Sequence, residues 1–366
     1  MTRVLVTDGT YFNTLAIVRC LGKKGIDVIV TSKKEPCIAG VSKYCNKYYI
    51  VDYDKEEYKD IIKSENIDVI LPVGYNSMKF FSYNKGFFEK YTKVPIVDYD
   101  KFRIAGDKSL TYKFASRIGI RVPKTYRINK KEELRKIKRF PVVLKAREET
   151  GSVQYANNYK ELIKKFSLIT KKYKKTPIIQ EYIPGNNGYG FYALYWNGTL
   201  ITYYMHKRLH MFPRSGGPST MARTYYDRKL LQLGKKVLDK LKWHGVAMVE
   251  FKKHEVTGEY YLIEINPKYW GSLDLGIHAG YEMPYYHVLL ALGKRVRIDY
   301  TFRDTVFMWP ENDFRYAISG KNKVLELSKW FINLLNPRIK KHWKINDLRP
   351  LIKEGKYIIK KLLGEK

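Results

Sequence analysis

Two segments near the middle of the chain carry acidic and amide side chains where a buried strand would be expected to be apolar. GVAMVEFKKHE (245–255) runs from an apolar stretch into Glu250. EYYLIEINPK (259–268) runs from a second one into Glu264 and Asn266. The pair reads as a hairpin turning around Thr257-Gly258. In an extended strand the side chains alternate, so Tyr260, Leu262, Glu264 and Asn266 are expected on one face. Adjacent antiparallel strands bring Glu250 and Glu264 close enough to share one ion, and Asn266 adds a third oxygen. An all-oxygen set suits a hard cation such as Mg²⁺, which takes its other ligands from water and substrate phosphate. The competing reading of the hairpin alone is one carboxylate paired with a lysine and the other solvated.

Cationic residues occur at matching places. Lys145 ends the apolar run PVVLKA, where a lone ammonium is costly without an anion. Lys108 follows Asp107 at a predicted helix start, where side chain and helix dipole would meet a phosphate. The turn ETGSV (149–153) offers backbone N–H groups to an anion. QEYI (180–183) is a strand end running into Pro-Gly, where exposed main chain can pair with a base edge.

The elements that must hold these groups fall into blocks. Over residues 1–103, RVLVTDG, DVIVTS, KYYIVD, DVILPV and VPIVD alternate with helical stretches, which predicts a parallel doubly wound sheet. The first turn, TDGTYFN, has one Gly and no G-x-G-x-x-G, so a nicotinamide site is not expected. It reads either as a ligand-holding loop or as plain scaffold. Residues 104–183 read as a small α+β unit. Residues 184–305 begin with a long hairpin around Asn197-Gly198 and end in two helices, near 273–279 and 284–292. Residues 306–366 read as a basic helical extension containing the amphipathic run WFINLLNPRIKKHW.

The chain has 366 residues and a formal net charge of +33. Such a balance favours anionic partners without choosing among nucleotides, nucleic acid and anionic lipid. No zinc-finger spacing, RNA-module aromatic signature or homeodomain-like helix set occurs, so nucleic acid is not the expected partner. Residues 321–366 hold thirteen Lys/Arg and four Asp/Glu, which leaves peripheral contact of this tail with a membrane as one reading and packing on the body as the other. Cys20, Cys37 and Cys45 form no C-x-x-C pair, and the start MTRVLVTDGT enters a strand pattern directly. Both fit a cytoplasmic protein. No apolar run approaches the length of a membrane span.

In order along the chain, GDKSLTYKFA, PVVLKA, a Gly-containing loop, QEYIPG, VAMVEF and LIEINPKYWGS resemble the ATP-grasp superfamily. Within it they resemble the carbamoyl-phosphate-synthase-like carboxylate–amine ligases. The resemblance covers roughly 104–300. It implies an N-terminal α/β sheet domain followed by a two-subdomain α+β ATP-grasp fold. It also implies that Lys108 and Lys145 hold ATP phosphates and that Gly151 and Ser152 lie in a lid loop. Glu181 and Ile183 would pair with adenine through their main chain, with Tyr182 walling the pocket. Glu250, Glu264 and Asn266 would bind Mg²⁺, with Mn²⁺ as a substitute. An arginine near the 206–224 stretch would neutralise the transferring phosphoryl group, Arg208 first and Arg223 second.

Two departures from the family pattern stand out. IPGNNGYG has no acidic residue for the ribose, leaving Asn186 or Asn187 for that role, and Pro267-Lys268 stands where Pro-Arg is common. His206 and His210 lack a Cys or acidic neighbour for zinc and read as pocket wall or packing. The activity implied is an ATP-dependent ligation of a small carboxylate to an amine, releasing ADP and phosphate. A phosphotransferase and a non-catalytic basic binding protein are the alternatives, and a dimer would suit any of them.

Overall fold

The computed structural model describes residues 1–146, 153–185, 188–214 and 216–362. Three sheets organise the chain. The first contains β1 (Arg3–Val6), β2 (Asp27–Ser32), β3 (Lys47–Ile50) and β4 (Val69–Leu71), parallel in the order β3-β2-β1-β4. β1, β2 and β4 are rich in buried Val, Ile and Leu, as expected of parallel strands covered on both faces, whereas the edge strand β3 is KYYI and largely uncovered. In VPIVD, residues 94–97 are buried but form no strand; an isolated bridge joins Val69 to Lys93, just before it. The turn after β1 is held by side-chain hydrogen bonds. The Asp8 carboxylate accepts from Gly74 N–H at 2.8 Å, Ser77 Oγ at 2.5 Å and Tyr53 Oη at 3.0 Å.

The second sheet is small and antiparallel: β5 (Thr125–Tyr126), β6 (Val142–Lys145), β7 (Val153–Ala156) and β8 (Ile178–Glu181), ordered β5-β8-β6-β7. The helix Tyr159–Tyr173 packs on it through Leu162, Phe166 and Ile169, which with Val142, Leu144 and Ile179 make a separate core. Asn158 caps that helix by accepting from Glu161 N–H at 2.9 Å.

The third sheet has seven strands: β9 (Gly188–Trp196), β10 (Thr199–Met211), β11 (Ser219–Thr224), β12 (Gly245–Lys253), β13 (Tyr260–Asn266), β14 (Val306–Met308) and β15 (Ile339–Lys341), ordered β13-β12-β9-β10-β11-β14-β15. Asn197 and Gly198, both at positive φ, make the tight turn between β9 and β10. One face buries Phe191, Ala193, Tyr195, Val249 and Phe251 in a core shared with Leu230 and Val237 of the helix Arg228–Lys240. The other face carries Tyr192, Leu194, Tyr204, Val246 and Met248 toward Trp270 and Leu273.

The 306–366 segment is more than a helical extension, because β14 and β15 lengthen the third sheet. It also returns to the first domain. Asp347 accepts from Arg19 Nε at 2.8 Å, Ser42 Oγ at 2.7 Å and Lys43 N–H at 2.9 Å, all within a buried contact. The tail is thereby tied to the first sheet domain as well as to the third sheet.

Candidate active site

The register of β12 against β13 sets the site. Glu250 lies opposite Glu264, but the next pair is Phe251 with Leu262, so Ile263 is an extra residue on β13. This bulge changes the parity of the strand. Tyr260, Leu262 and Ile265 enter the core on one face, whereas Glu264 and Asn266 point to the other. The expectation that Tyr260, Leu262, Glu264 and Asn266 share a face therefore fails, because strict alternation does not survive an inserted residue. The carbonyl of Ile263 accepts from the Tyr112 hydroxyl at 2.7 Å, and the Lys145 ammonium donates to that hydroxyl at 3.4 Å. The bulge thus binds the helix Lys108–Arg117 and the end of β6 to the hairpin.

On that face, Glu264, Glu250, Gly190 and His206 form a row across β13, β12, β9 and β10. Arg208, two residues beyond His206 on β10, lies beside Gly188, the next glycine on this face. A Cβ at Gly188 would come within 3.1 Å of the Arg208 side chain, and one at Gly190 within 2.4 Å of the Tyr192 ring. The two glycines therefore open the floor over which Arg208 and Tyr192 lie. Arg208 Nη2 reaches Glu250 Oε2 at 2.5 Å, and Nη1 donates to Gly217 O at 3.1 Å.

Lys108 Nζ is 3.2 Å from Glu264 Oε2, and Asn266 Nδ2 donates to Glu264 Oε1 at 2.8 Å. Asp107 spends its carboxylate capping Ser109 and Leu110 N–H. The cap takes up two of the first-turn N–H groups expected to face an anion, and Lys108 reaches the cluster through its side chain.

Three cations and two carboxylates at this density perturb one another. Burial pushes the Lys145 ammonium down to about 8, with Glu264 opposing and Lys108 adding to the fall. Burial also works against the Glu264 charge, but Lys108, Asn266 and Lys145 outweigh it and hold that carboxyl well below the usual range. For Glu250, burial dominates over Arg208, and Glu264 adds to the rise. His206 shares a hydrogen bond with the Tyr192 hydroxyl, and burial beside Arg208 keeps its imidazole neutral. No group of three His, Cys, Asp or Glu side chains suited to a metal occurs among the described residues. The donor set is instead two carboxylates and an amide, all oxygen, which fits a cation that completes its shell from phosphate and water.

The remaining expected residues divide. Glu181 ends β8, donates its N–H to Lys124 O at 3.0 Å and accepts from Lys124 N–H at 2.8 Å. Tyr182 meets Tyr155 edge-on at 5.8 Å, with the Lys252 ammonium 4.4 Å from its ring centroid, and Ile183 is buried beyond it. Arg223 is not brought into the cluster. It pairs in register with Lys207, on the face opposite Arg208, and binds Asp304. His210 stacks on Tyr316 and binds Asp313 at 2.9 Å, so it packs the tail. Gly151, Ser152, Asn186 and Asn187 lie outside the described residues. Tyr112, Gly188, Gly190 and Lys252 join the site without being among the expected residues. Tyr112 stands four residues after Lys108 on one helix face, and the Gly-Tyr-Gly spacing of 188–190 puts both glycines on one side of a strand, so signals for three of them exist.

Residues 174–309 match a family model described as ATP-grasp in the biosynthetic pathway with Ter operon, somewhat over a third of the chain. A D-aspartate ligase of Enterococcus faecium (strain Aus0004) is 26% identical over 242 residues, 58% of this chain and 55% of that protein. A 3-methyl-D-ornithine–L-lysine ligase of Methanosarcina acetivorans is 32% identical over 105 residues, 28% of each. The chain thus spans about half the length of the first curated relative and about a quarter of the second. The fold is similar to that of N5-carboxyaminoimidazole synthetase from Staphylococcus aureus complexed with ADP. That comparison has a TM-score of 0.66 and 16% identity, and covers 85% of this chain and 83% of that one. Family match and relatives both point to the ATP-grasp superfamily, which part of this chain resembles, and the overall fold is similar to that of the solved synthetase.

Proposed function

We propose that the protein is an ATP-dependent ligase that activates a small carboxylate as an acyl phosphate for attack by an amine, giving an amide, ADP and phosphate. The observation that carries this reading is the convergence of Lys108, Lys145 and Arg208 on Glu250, Glu264 and Asn266 over one sheet face. A carboxylate is a poor acyl donor because its leaving group would be oxide, and phosphorylation removes that obstacle. Bound Mg²⁺, or Mn²⁺ in its place, would neutralise phosphate charge, and Glu250, Glu264 and the Asn266 amide oxygen are the residues to hold it. Lys108 and Lys145 hold phosphate oxygens. Arg208 moves from Glu250 toward the phosphoryl group being transferred, where a planar guanidinium matches its oxygens. Backbone groups of Glu181 and Ile183 receive the adenine, with Tyr182 as a wall. In this reading 1–103 forms the preceding α/β domain, 104–183 the small subdomain, 184–305 the metal-bearing subdomain and 306–366 the extension. Free Cys20, Cys37 and Cys45 suit a reducing cytoplasm.

The test is incubation with Mg-ATP and a fractionated metabolite pool, tracking ADP, AMP and free phosphate, with Glu264→Gln in parallel. Equal ADP and free phosphate, lost in the variant, is the expected result. ADP without free phosphate means a phosphotransferase, and AMP means adenylation; either overturns the ligase reading.

A further inference from the structure

The helix Lys323–Leu335 has no buried residue, although eight of its thirteen positions are Val, Leu, Ile, Phe or Trp. At about 100° per residue its apolar side chains divide between two directions. Trp330 and Leu334 pack inward against Met221, Met308 and Ile339, and Trp330 Nε1 donates to Pro310 O at 3.0 Å. Val324, Leu325, Phe331, Ile332 and Leu335 fall within an arc of about 120° on the outer side. They are between 48% and 81% exposed. A contiguous apolar stripe of this kind, on a helix already anchored by its other side, marks an interaction surface.

The charge around the stripe identifies the partner. Lys321, Lys323, Lys329, Arg338 and Lys340, on the helix and the segments that flank it in sequence, are all exposed. Between 321 and 341 the one acidic residue is Glu326, which is turned toward Arg214 at 3.5 Å. A second copy is a poor occupant, because two basic rims would meet in a chain of net charge +33. An anionic bilayer satisfies both features, with the stripe entering the headgroup–acyl boundary and the lysines meeting lipid phosphates. No helix among the described residues is long and apolar enough to cross a membrane, so the contact lies along the surface. We propose that the outer face of the helix Lys323–Leu335 docks the protein on membranes rich in anionic phospholipid.

The full chain is sedimented with phosphatidylcholine vesicles, with and without phosphatidylglycerol, across a salt series. Binding is expected only to the anionic vesicles and weakens as salt rises. Phe331→Glu/Ile332→Glu places two charges in the stripe and is expected to weaken binding about a hundredfold. The milder Val324→Ser/Leu335→Ser should weaken it about tenfold. All four positions are exposed, so circular dichroism and thermal midpoint should be unchanged. Absence of binding, or equal binding by both variants, overturns the proposal. So does a dimer in sedimentation velocity that Phe331→Glu/Ile332→Glu dissociates.

Discussion

Replacing Glu264 by Gln removes one charge while keeping the shape of the side chain, and the charges packed around it set the cost. Its carboxylate lies 3.2 Å from Lys108 Nζ, and both Lys108 and Lys145 are buried. At an effective dielectric of about 20, a pair at that distance is worth about 5 kcal/mol before desolvation is counted. The substitution leaves two buried ammoniums facing a neutral amide. Losing one partner of a buried pair costs about 3–5 kcal/mol; with Glu250 still nearby, we expect about 3 kcal/mol. Lys108→Met alone should cost about 2 kcal/mol, since Lys145 still balances Glu264. The double variant Lys108→Met/Glu264→Gln should cost less than Glu264→Gln alone, because neither charge is then stranded. The assay is equilibrium urea unfolding without nucleotide, near neutral pH, monitored by intrinsic fluorescence. Additive losses, or a Glu264→Gln protein as stable as wild type, would refute the electrostatic reasoning.

Three further predictions use other parts of the molecule. Gly190→Ala drives a Cβ to within 2.4 Å of the Tyr192 ring, so thermal unfolding should show a loss of about 1–3 kcal/mol, together with reduced ATP turnover. Asp347→Ala strands the buried Arg19 guanidinium and should cost about 3–5 kcal/mol in urea unfolding; an unchanged midpoint would mean that the tail does not tie the domains. His287 supplies the pH test. Its Nε2 donates to Pro95 O at 2.6 Å and its Nδ1 accepts from Tyr269, and burial pushes it down to about 3 despite the Pro95 bond. The unfolded chain takes up a proton below about 6.5 that the folded chain refuses. Stability should therefore fall with pH by about 1.4 kcal/mol per unit between about 6.5 and 3. His287→Gln should remove about one proton's worth of that slope.

Much of this site was legible because buried charges are conspicuous in apolar runs. Lys145, Glu250 and Glu264 each interrupt a strand pattern at its end, and Asn266 comes one alternation later. What lay hidden depends on backbone irregularity. The extra residue at Ile263 reverses which neighbours accompany Glu264, and a period-two reading contains no sign of an insertion. Along the chain Arg208 ranks ahead of Arg223, but both stand as candidates for the same role. The structure separates them through the pairing of β10 with β11, which puts them on opposite faces, and through Asp304, eighty-one residues distant from Arg223. β14 and β15 are three residues each inside a basic tail, too short for any periodicity to register. The alternating first domain and the Asn-Gly hairpin were plain, since each rests on local chemistry that tertiary contacts reinforce.

The central claim is that one sheet face holds a divalent-metal nucleotide complex, and the most direct measurement is calorimetric titration of the full chain with a non-hydrolysable analogue of ATP. The account predicts binding that requires Mg²⁺ and weakens at least about tenfold in Glu250→Gln, a variant that removes a carboxylate charge and one of its two oxygens without touching the adenine wall. Equal affinity with and without Mg²⁺, or in wild type and variant, would contradict it.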